Sequence, residues 1–463
     1  MAKTNTKTVR EPVLTHGGAR AEVHMKPFVA LERAVATCLL WEDAFYESGS
    51  GIAKRIAALC AQVPACDVAA LAIKARREYK LRHVPLFLCI QLAALASGRE
   101  DGLVSRTIAK VIQRPDEMGE LVALYWRDKK RPLSAQIKKG LRAAFGKFSE
   151  YQFAKWSRDA DIQLRDVMFL VSPKPSQGRE GLYKAIAEKS LPPADTWEVA
   201  LTAGKDEKET WERLLHDGKL GYIALLMNLR NMEKAKVDSG LIETALLSGA
   251  ARSKALPFRF ITAAKHAPRY ENMLGEAMIA ALSEQTRLAG RTILVVDVSG
   301  SMASEISAKS ELSRVDTACA LAILLREICD YVSIYATAGN DYSRVHATEL
   351  VPPRHTFALR DAIGVAYNKL GGGGIFLTQC MDFITQKEPA ADRVIVITDE
   401  QDCDIKLSPK NAKLLGRNNY IINVANYDRA IGFDRWTTIN GWSERVVDWI
   451  VAEENFNSNA QWI

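Results

Sequence analysis

Three oxygen-bearing side chains, Asp297, Ser299 and Ser301, stand at alternate positions in Thr292-Ile293-Leu294-Val295-Val296-Asp297-Val298-Ser299-Gly300-Ser301-Met302. One carboxylate and two hydroxyls from a single turn are hard ligands, suited to a cation such as Mg²⁺. A second run, Arg393-Val394-Ile395-Val396-Ile397-Thr398, ends in another carboxylate, Asp399, with Glu400 beside it. Both apolar runs read as fully buried parallel strands, and ligands of an open α/β sheet sit at the carboxyl ends of such strands. The same serines could instead cap the next helix, so spacing alone leaves metal binding and helix capping both open.

This arrangement resembles the metal-ion-dependent adhesion site of a von Willebrand A domain. The resemblance implies Mg²⁺ held by Asp297, Ser299, Ser301 and Asp399. The family's third element is a Thr after a Gly-rich turn; here the turn reads Gly371-Gly372-Gly373-Gly374-Ile375, with Ile375 at the Thr position and Thr378 three residues on. That run lacks the Gly-Lys-Ser/Thr ending of a phosphate loop. Asp402 and Asp404 add to the acidic group, but the sequence places no His or Lys base beside it, so binding rather than catalysis is expected.

The elements that must position these residues alternate. A helix over Glu311 to Asp330 is followed by strands at Tyr331 to Ala336, Arg344 to Leu350, Arg393 to Thr398 and Tyr420 to Ala425. Helices are expected at Phe357 to Leu370, Leu377 to Gln386 and Trp442 to Glu453. The alternation predicts a doubly wound α/β domain over 291–463. Upstream of it, from about Lys26 to Leu288, apolar residues recur at helical spacing, as at Leu31, Ala34, Val35, Cys38 and Leu39. Ser134 before Ala135 to Phe145 and Asp195-Thr196-Trp197-Glu198 carry capping signals. Many short one-faced helices punctuated by prolines predict a stacked helical-repeat array over 26–290, after an N-terminal extension of 1–25, although no fixed sequence period is visible. No Gly/Ser linker separates the two regions, so a rigid junction is expected.

At 463 residues with 48% hydrophobic content, the chain can bury two or three cores. No apolar run spans a membrane and the first residues lack an apolar signal core, which makes the cytoplasm the expected compartment. The eight cysteines include no Cys-x-x-Cys pair and read as buried thiols. The net charge of +7 is segregated: residues 291–463 hold 17 Lys+Arg against 22 Asp+Glu, and the rest holds 45 against 33. A basic first part suggests a polyanionic partner.

Two basic stretches concentrate that charge. One is Lys74-Ala75-Arg76-Arg77-Glu78-Tyr79-Lys80-Leu81-Arg82-His83; the other runs from Tyr125-Trp126-Arg127-Asp128-Lys129-Lys130-Arg131-Pro132 through Lys138, Lys139, Arg142, Lys147, Lys155, Arg158, Arg165 and Lys174. Phe145, Phe148, Tyr151, Phe153 and Trp156 are interleaved with the second. Cations beside planar side chains suit phosphates and unpaired bases, hence single-stranded or irregular RNA; the same aromatics also suit a helical core.

Glu11-Pro12-Val13-Leu14-Thr15-His16-Gly17-Gly18, Leu39-Leu40-Trp41-Glu42-Asp43, Leu81-Arg82-His83-Val84-Pro85-Leu86, Lys138-Lys139-Gly140-Leu141, Leu170-Val171-Ser172-Pro173-Lys174-Pro175 and Met227-Asn228-Leu229-Arg230-Asn231-Met232 resemble a TROVE domain. Taken in order with the A domain, they resemble a bacterial member of the Ro ribonucleoprotein autoantigen family. The resemblance implies a monomeric ring of HEAT-like repeats closed by the A domain. It implies small structured, Y-like non-coding RNA on a basic outer face, single-stranded 3′ ends of misfolded RNA in a central hole, and an exoribonuclease as a possible partner. By position Lys138, Lys139, Arg142, Lys147, Arg165 and Lys174 fall on that outer face, while Ser172 stands where many relatives carry His. A protein-interaction adaptor working through the A domain is the alternative reading.

Overall fold

The structure, a computed structural model, describes residues 26–37, 48–79, 81–96, 101–157, 160–194, 196–202, 206–253, 255–306, 311–404, 415–425, 436–440, 450 and 454. Among these, the first part is helical throughout. Its first half comprises α1 (Pro27–Thr37), α2 (Gly49–Cys60), α3 (Ala65–Arg77), α4 (His83–Leu95), α5 (Leu103–Val111), α6 (Asp116–Trp126), α7 (Ala135–Phe145), α8 (Glu150–Trp156), α9 (Leu164–Val171) and α10 (Glu180–Glu188). Its second half comprises α11 (Trp197–Thr202), α12 (Glu207–His216), α13 (Tyr222–Lys234), α14 (Ser239–Ser253), α15 (Pro257–His266) and α16 (Glu271–Leu282).

Each helix forms for local reasons and stacks by its apolar stripe. In α7, Ile137, Leu141, Ala144 and Phe145 are buried on one side, and the Ser134 hydroxyl accepts from the Ile137 amide at 3.3 Å. Gly140 lets α7 lie against α5: a Cβ there would sit 2.7 Å from the Cβ of Ile108. The helices stack as two layers, α1–α3–α5–α7–α9 and α2–α4–α6, and side-chain contacts repeatedly join residues 29 to 42 positions apart. The repeat therefore lies in the contact spacing, since α3, α5, α7 and α9 begin at 65, 103, 135 and 164 and share no sequence period.

The C-terminal region is a six-stranded sheet in the order β3-β2-β1-β4-β5-β6: β1 (Leu288–Asp297), β2 (Cys329–Asn340), β3 (Val345–Leu350), β4 (Ala391–Thr398), β5 (Gly416–Asn423) and β6 (Thr437–Asn440). All neighbours pair in parallel except the β2–β3 edge hairpin. With α17 (Arg314–Ile328), α18 (Thr356–Leu370) and α19 (Leu377–Lys387) between strands, the sheet is doubly wound as the alternation predicts. The short edge strand β6 is an addition to the expected set, and the helix expected over Trp442 to Glu453 lies, apart from Ile450, outside the described residues.

The core boundaries differ from the sequence boundaries. One core joins Leu31 through Ile186. A second runs continuously from Trp211 in α12 into the sheet at Ile422 and Val424, because α13–α15–α17 and α14–α16–α18 stack as unbroken layers across position 290. A third, smaller cluster covers the opposite face of the sheet around Ile293, Val295, Ile375 and Val396. At the far end of the chain's path, α1 packs on β6. The helical array thus starts against one edge of the sheet and feeds β1 at its centre, so the chain closes on itself.

Candidate functional site

The carboxyl ends of β1 and β4 bring the predicted oxygens together. Asp297 ends β1 opposite Thr337 of β2; its Oδ1 accepts from the Ser299 amide at 2.8 Å and its Oδ2 from the Thr398 hydroxyl at 2.6 Å. The Ser299 and Ser301 hydroxyls lie 3.3 Å apart. Asp297, Asp399, Glu400, Asp402 and Asp404 are all buried. Burial, and next the Asp399 carboxylate, push the Asp297 carboxyl up to about 7; burial raises Asp399 too. Of the four glycines, Gly373 and Gly374 serve close approach, to the Gly339 carbonyl and the Cys403 side chain. Gly371 and Gly372 adopt positive φ, and a Cβ on Gly300 would sit 2.6 Å from the Gly372 carbonyl oxygen, so the turn presses onto the serine loop.

Two features set this mouth apart from a divalent-cation site. Ile375, where the third hydroxyl is expected, is 1% exposed and belongs to the core with Ile293 and Val295. Thr378, three residues on, is buried, and its Oγ1 has no hydrogen-bond partner among the described residues. Instead a guanidinium enters from α17, with Arg314 Nη1 at 3.3 Å from Asp399 Oδ2 and 3.3 Å from the Ser301 carbonyl oxygen. The donor set therefore fits a divalent cation poorly, with one hydroxyl missing and one carboxylate already matched by a cation.

The basic stretches separate into tied and free cations. The first is largely consumed: Lys74 pairs with Glu32 at 2.7 Å, Arg76 with Glu117 at 2.5 Å and Arg82 with Asp116 at 2.9 Å. Within the second, Arg142 donates to the last carbonyl of α9, at Val171. Lys147 donates to the carbonyls of Ala109, at 2.6 Å, and Ile112 at the end of α5, and burial lowers its pKa. Cations at helix carboxyl ends satisfy orphan carbonyls and the macrodipole. Lys138, Lys139 and Lys174 have no partner among the described residues; Lys139 and Lys174 are exposed and Lys138 partly so. Arg165 is exposed, 5.4 Å from the ring centre of Phe169, itself 59% exposed one turn on in α9. Arg158 lies outside the described residues.

The interleaved aromatics divide the same way. Phe145, Phe148 and Phe153 form a ring cluster in the core, with centroids 5.8 to 5.9 Å apart, whereas Tyr151 is exposed. Phe169 escapes a reading that looks for aromatics inside basic runs; its signal is the Arg165 one helical turn before it. In the loop after α6, Lys130 lies 4.9 Å from the Trp126 ring centre and Arg131 4.2 Å from that of Tyr125, all on the surface or near it. Ser172, at the expected RNA corner, takes a left-handed conformation with φ 47° at the end of α9.

The profile of the TROVE domain matches residues 184–318, from within α10 to the first turns of α17. The crystal structure of the Deinococcus radiodurans Ro (RSR) protein superimposes with a TM-score of 0.62 over 90% of this chain and 97% of that one, at 13% identity. The chain has the fold of that Ro protein, and residues 184–318 are similar to the TROVE domain. A search of curated proteins by sequence finds no match. Of the segments that carry the TROVE resemblance, Met227–Met232 lies inside the profile match, on α13. The others precede it, and of these Glu11–Gly18 and Leu39–Asp43 lie outside the described residues. The match spans the junction at 290, in agreement with the core that runs unbroken through it.

Proposed function

We propose that this protein is the RNA-binding component of a ribonucleoprotein. It carries small structured, Y-like non-coding RNA on the surface of α7 and α9 and takes single-stranded 3′ ends of misfolded RNA into the hole of the ring, in position to pass them to an exoribonuclease. The observation behind this reading is that Lys138, Lys139 and Lys174 have no ion-pair partner among the described residues while neighbouring cations are tied to helix ends. Unpaired cations exchange condensed counterions for phosphates, and the exposed Phe169 and Tyr151 offer faces for unpaired bases. The protein acts by binding, as a monomeric ring in the cytoplasm; among the described residues no helix is long and apolar enough to cross a membrane.

The test is to purify the full chain from its host without nuclease, read the ratio of absorbance at 260 and 280 nm, and sequence the retained nucleic acid. One or two structured small RNAs are expected. Clean protein that also fails to shift small RNA at low salt would overturn the reading.

A further inference from the structure

We propose that the guanidinium of Arg314 fills, at the mouth of β1 and β4, the electrostatic role a divalent cation would have, so that this A-type domain is complete without metal. Arg314 is the first residue of α17, and the helix start is fixed by a capping box: the Ser313 hydroxyl accepts from the Asp316 amide at 3.1 Å, and Asp316 accepts from the Ser313 amide at 2.8 Å. A helix amino end disfavours a cation, so helix formation gives no reason for an arginine there. Its side chain is nevertheless only 5% exposed and is aimed between the serine loop and Asp399, the two elements that would have to share a metal. Arginine keeps its charge in any protein environment, which makes it a permanent counter-ion for a buried carboxylate.

Several of the remaining oxygens are engaged within the protein, while the buried Thr378 hydroxyl has no hydrogen-bond partner among the described residues. Both Asp297 oxygens accept hydrogen bonds from Ser299 and Thr398. Asp402 Oδ1 accepts from the Leu377 amide at 3.2 Å, at the start of α19, and Asp404 Oδ2 accepts from Gln379 Nε2 at 3.1 Å. These acids hold the loop after β4 to α19. Ile375 closes the third corner with a side chain that cannot ligate. A guanidinium against Asp399 also repels a second cation, and does so strongly where water is excluded.

The experiment uses the full-length protein. Free Mn²⁺ is followed by electron paramagnetic resonance during titration, and the melting temperature is read with millimolar Mg²⁺, with Mn²⁺ and with EDTA. The wild type should neither deplete Mn²⁺ nor move its melting temperature; stoichiometric uptake or a rise with either ion would overturn the proposal. Arg314→Ala should melt several degrees lower and recover part of the loss with Mn²⁺, while Arg314→Lys should stay insensitive to divalent ions. An Arg314→Ala protein that folds with unchanged stability, or that remains unresponsive to Mn²⁺, would equally refute it. If that variant does not fold, the wild-type titration decides alone.

Discussion

Glu117→Ala should be among the costliest single substitutions in the first helical half. Glu117 is 0% exposed. Its Oε1 pairs with Arg76 at 2.5 Å, and its Oε2 accepts from the amides of Gln113 at 2.7 Å and Arg114 at 3.1 Å. Arg76 in turn reaches the Val111 carbonyl at 3.2 Å and the Leu81 carbonyl at 3.4 Å. The pair thus fastens the ends of α3 and α5 to the starts of α4 and α6, one repeat to the next. Removing one partner of a buried ion pair costs about 3–5 kcal/mol because the other charge stays buried. The two loop amides also lose their acceptor, although water entering the space left by the side chain offsets part of that. The expected loss is about 4 kcal/mol, a large share of the roughly 5–15 kcal/mol by which domains are stable. Because the core of α1–α10 is separate from the second core, hydrogen exchange followed by mass spectrometry should show faster exchange over 65–186 and little change over 211–425. Glu117→Gln, which retains an acceptor, should fall between. A loss below about 1 kcal/mol by urea titration, or faster exchange spread over both cores, would refute the assignment of this pair as the repeat fastener.

Gly140→Ala should destabilise by about 2 kcal/mol in thermal melts despite the gain in helix propensity, since the new methyl meets Ile108 at 2.7 Å and the Ser105 carbonyl at 3.0 Å; a stabilised variant would show that α5 and α7 can separate freely. Arg142→Ala and Lys147→Ala should each lower the melting temperature through the loss of a helix-end contact worth about 1–2 kcal/mol, with RNA affinity largely kept; loss of affinity at unchanged stability would move them to the RNA face. Burial pushes the Asp402 carboxyl up from 3.8 to about 7, so its contribution to stability is full below 3.8 and is lost as pH rises through about 7. Asp402→Asn keeps an acceptor for the Leu377 amide without the charge, and its stability should vary less between those pH values and exceed the wild type above them; an unchanged pH profile would contradict this.

Much of this architecture is legible in the sequence because burial leaves a period. The apolar runs before Asp297 and Asp399 become adjacent parallel strands, and the one-sided stripe of Ile137, Leu141 and Ala144 becomes the packed face of α7. What the sequence does not disclose is set by partners far along the chain. Lys138 and Arg142 are equivalent in a helical period, yet Arg142 ends on the Val171 carbonyl, 29 residues on, and Lys138 on no partner among the described residues. The stretch Lys74 to His83 reads as a basic face, and Glu32, Asp116 and Glu117, 34 to 42 positions away from their cations, match much of it. Arg314 follows from no pattern around the Asp-x-Ser-x-Ser loop; its role appears once α17 is folded over the mouth. Four residues of β6, Thr437-Thr438-Ile439-Asn440, are too few to show alternation.

The most direct test of RNA binding through the free cations is a salt titration of the nuclease-treated protein with the small RNAs of its host, comparing the wild type with Lys138→Glu/Lys139→Glu/Lys174→Glu. Each lost phosphate contact removes roughly 0.7–0.9 from the slope of log affinity against log salt. The variant should therefore bind more weakly, with a slope shallower by about 2–3 and an unchanged melting temperature. Equal affinity and equal slope in the two proteins, or no retention of RNA by the wild type at low salt, would contradict it.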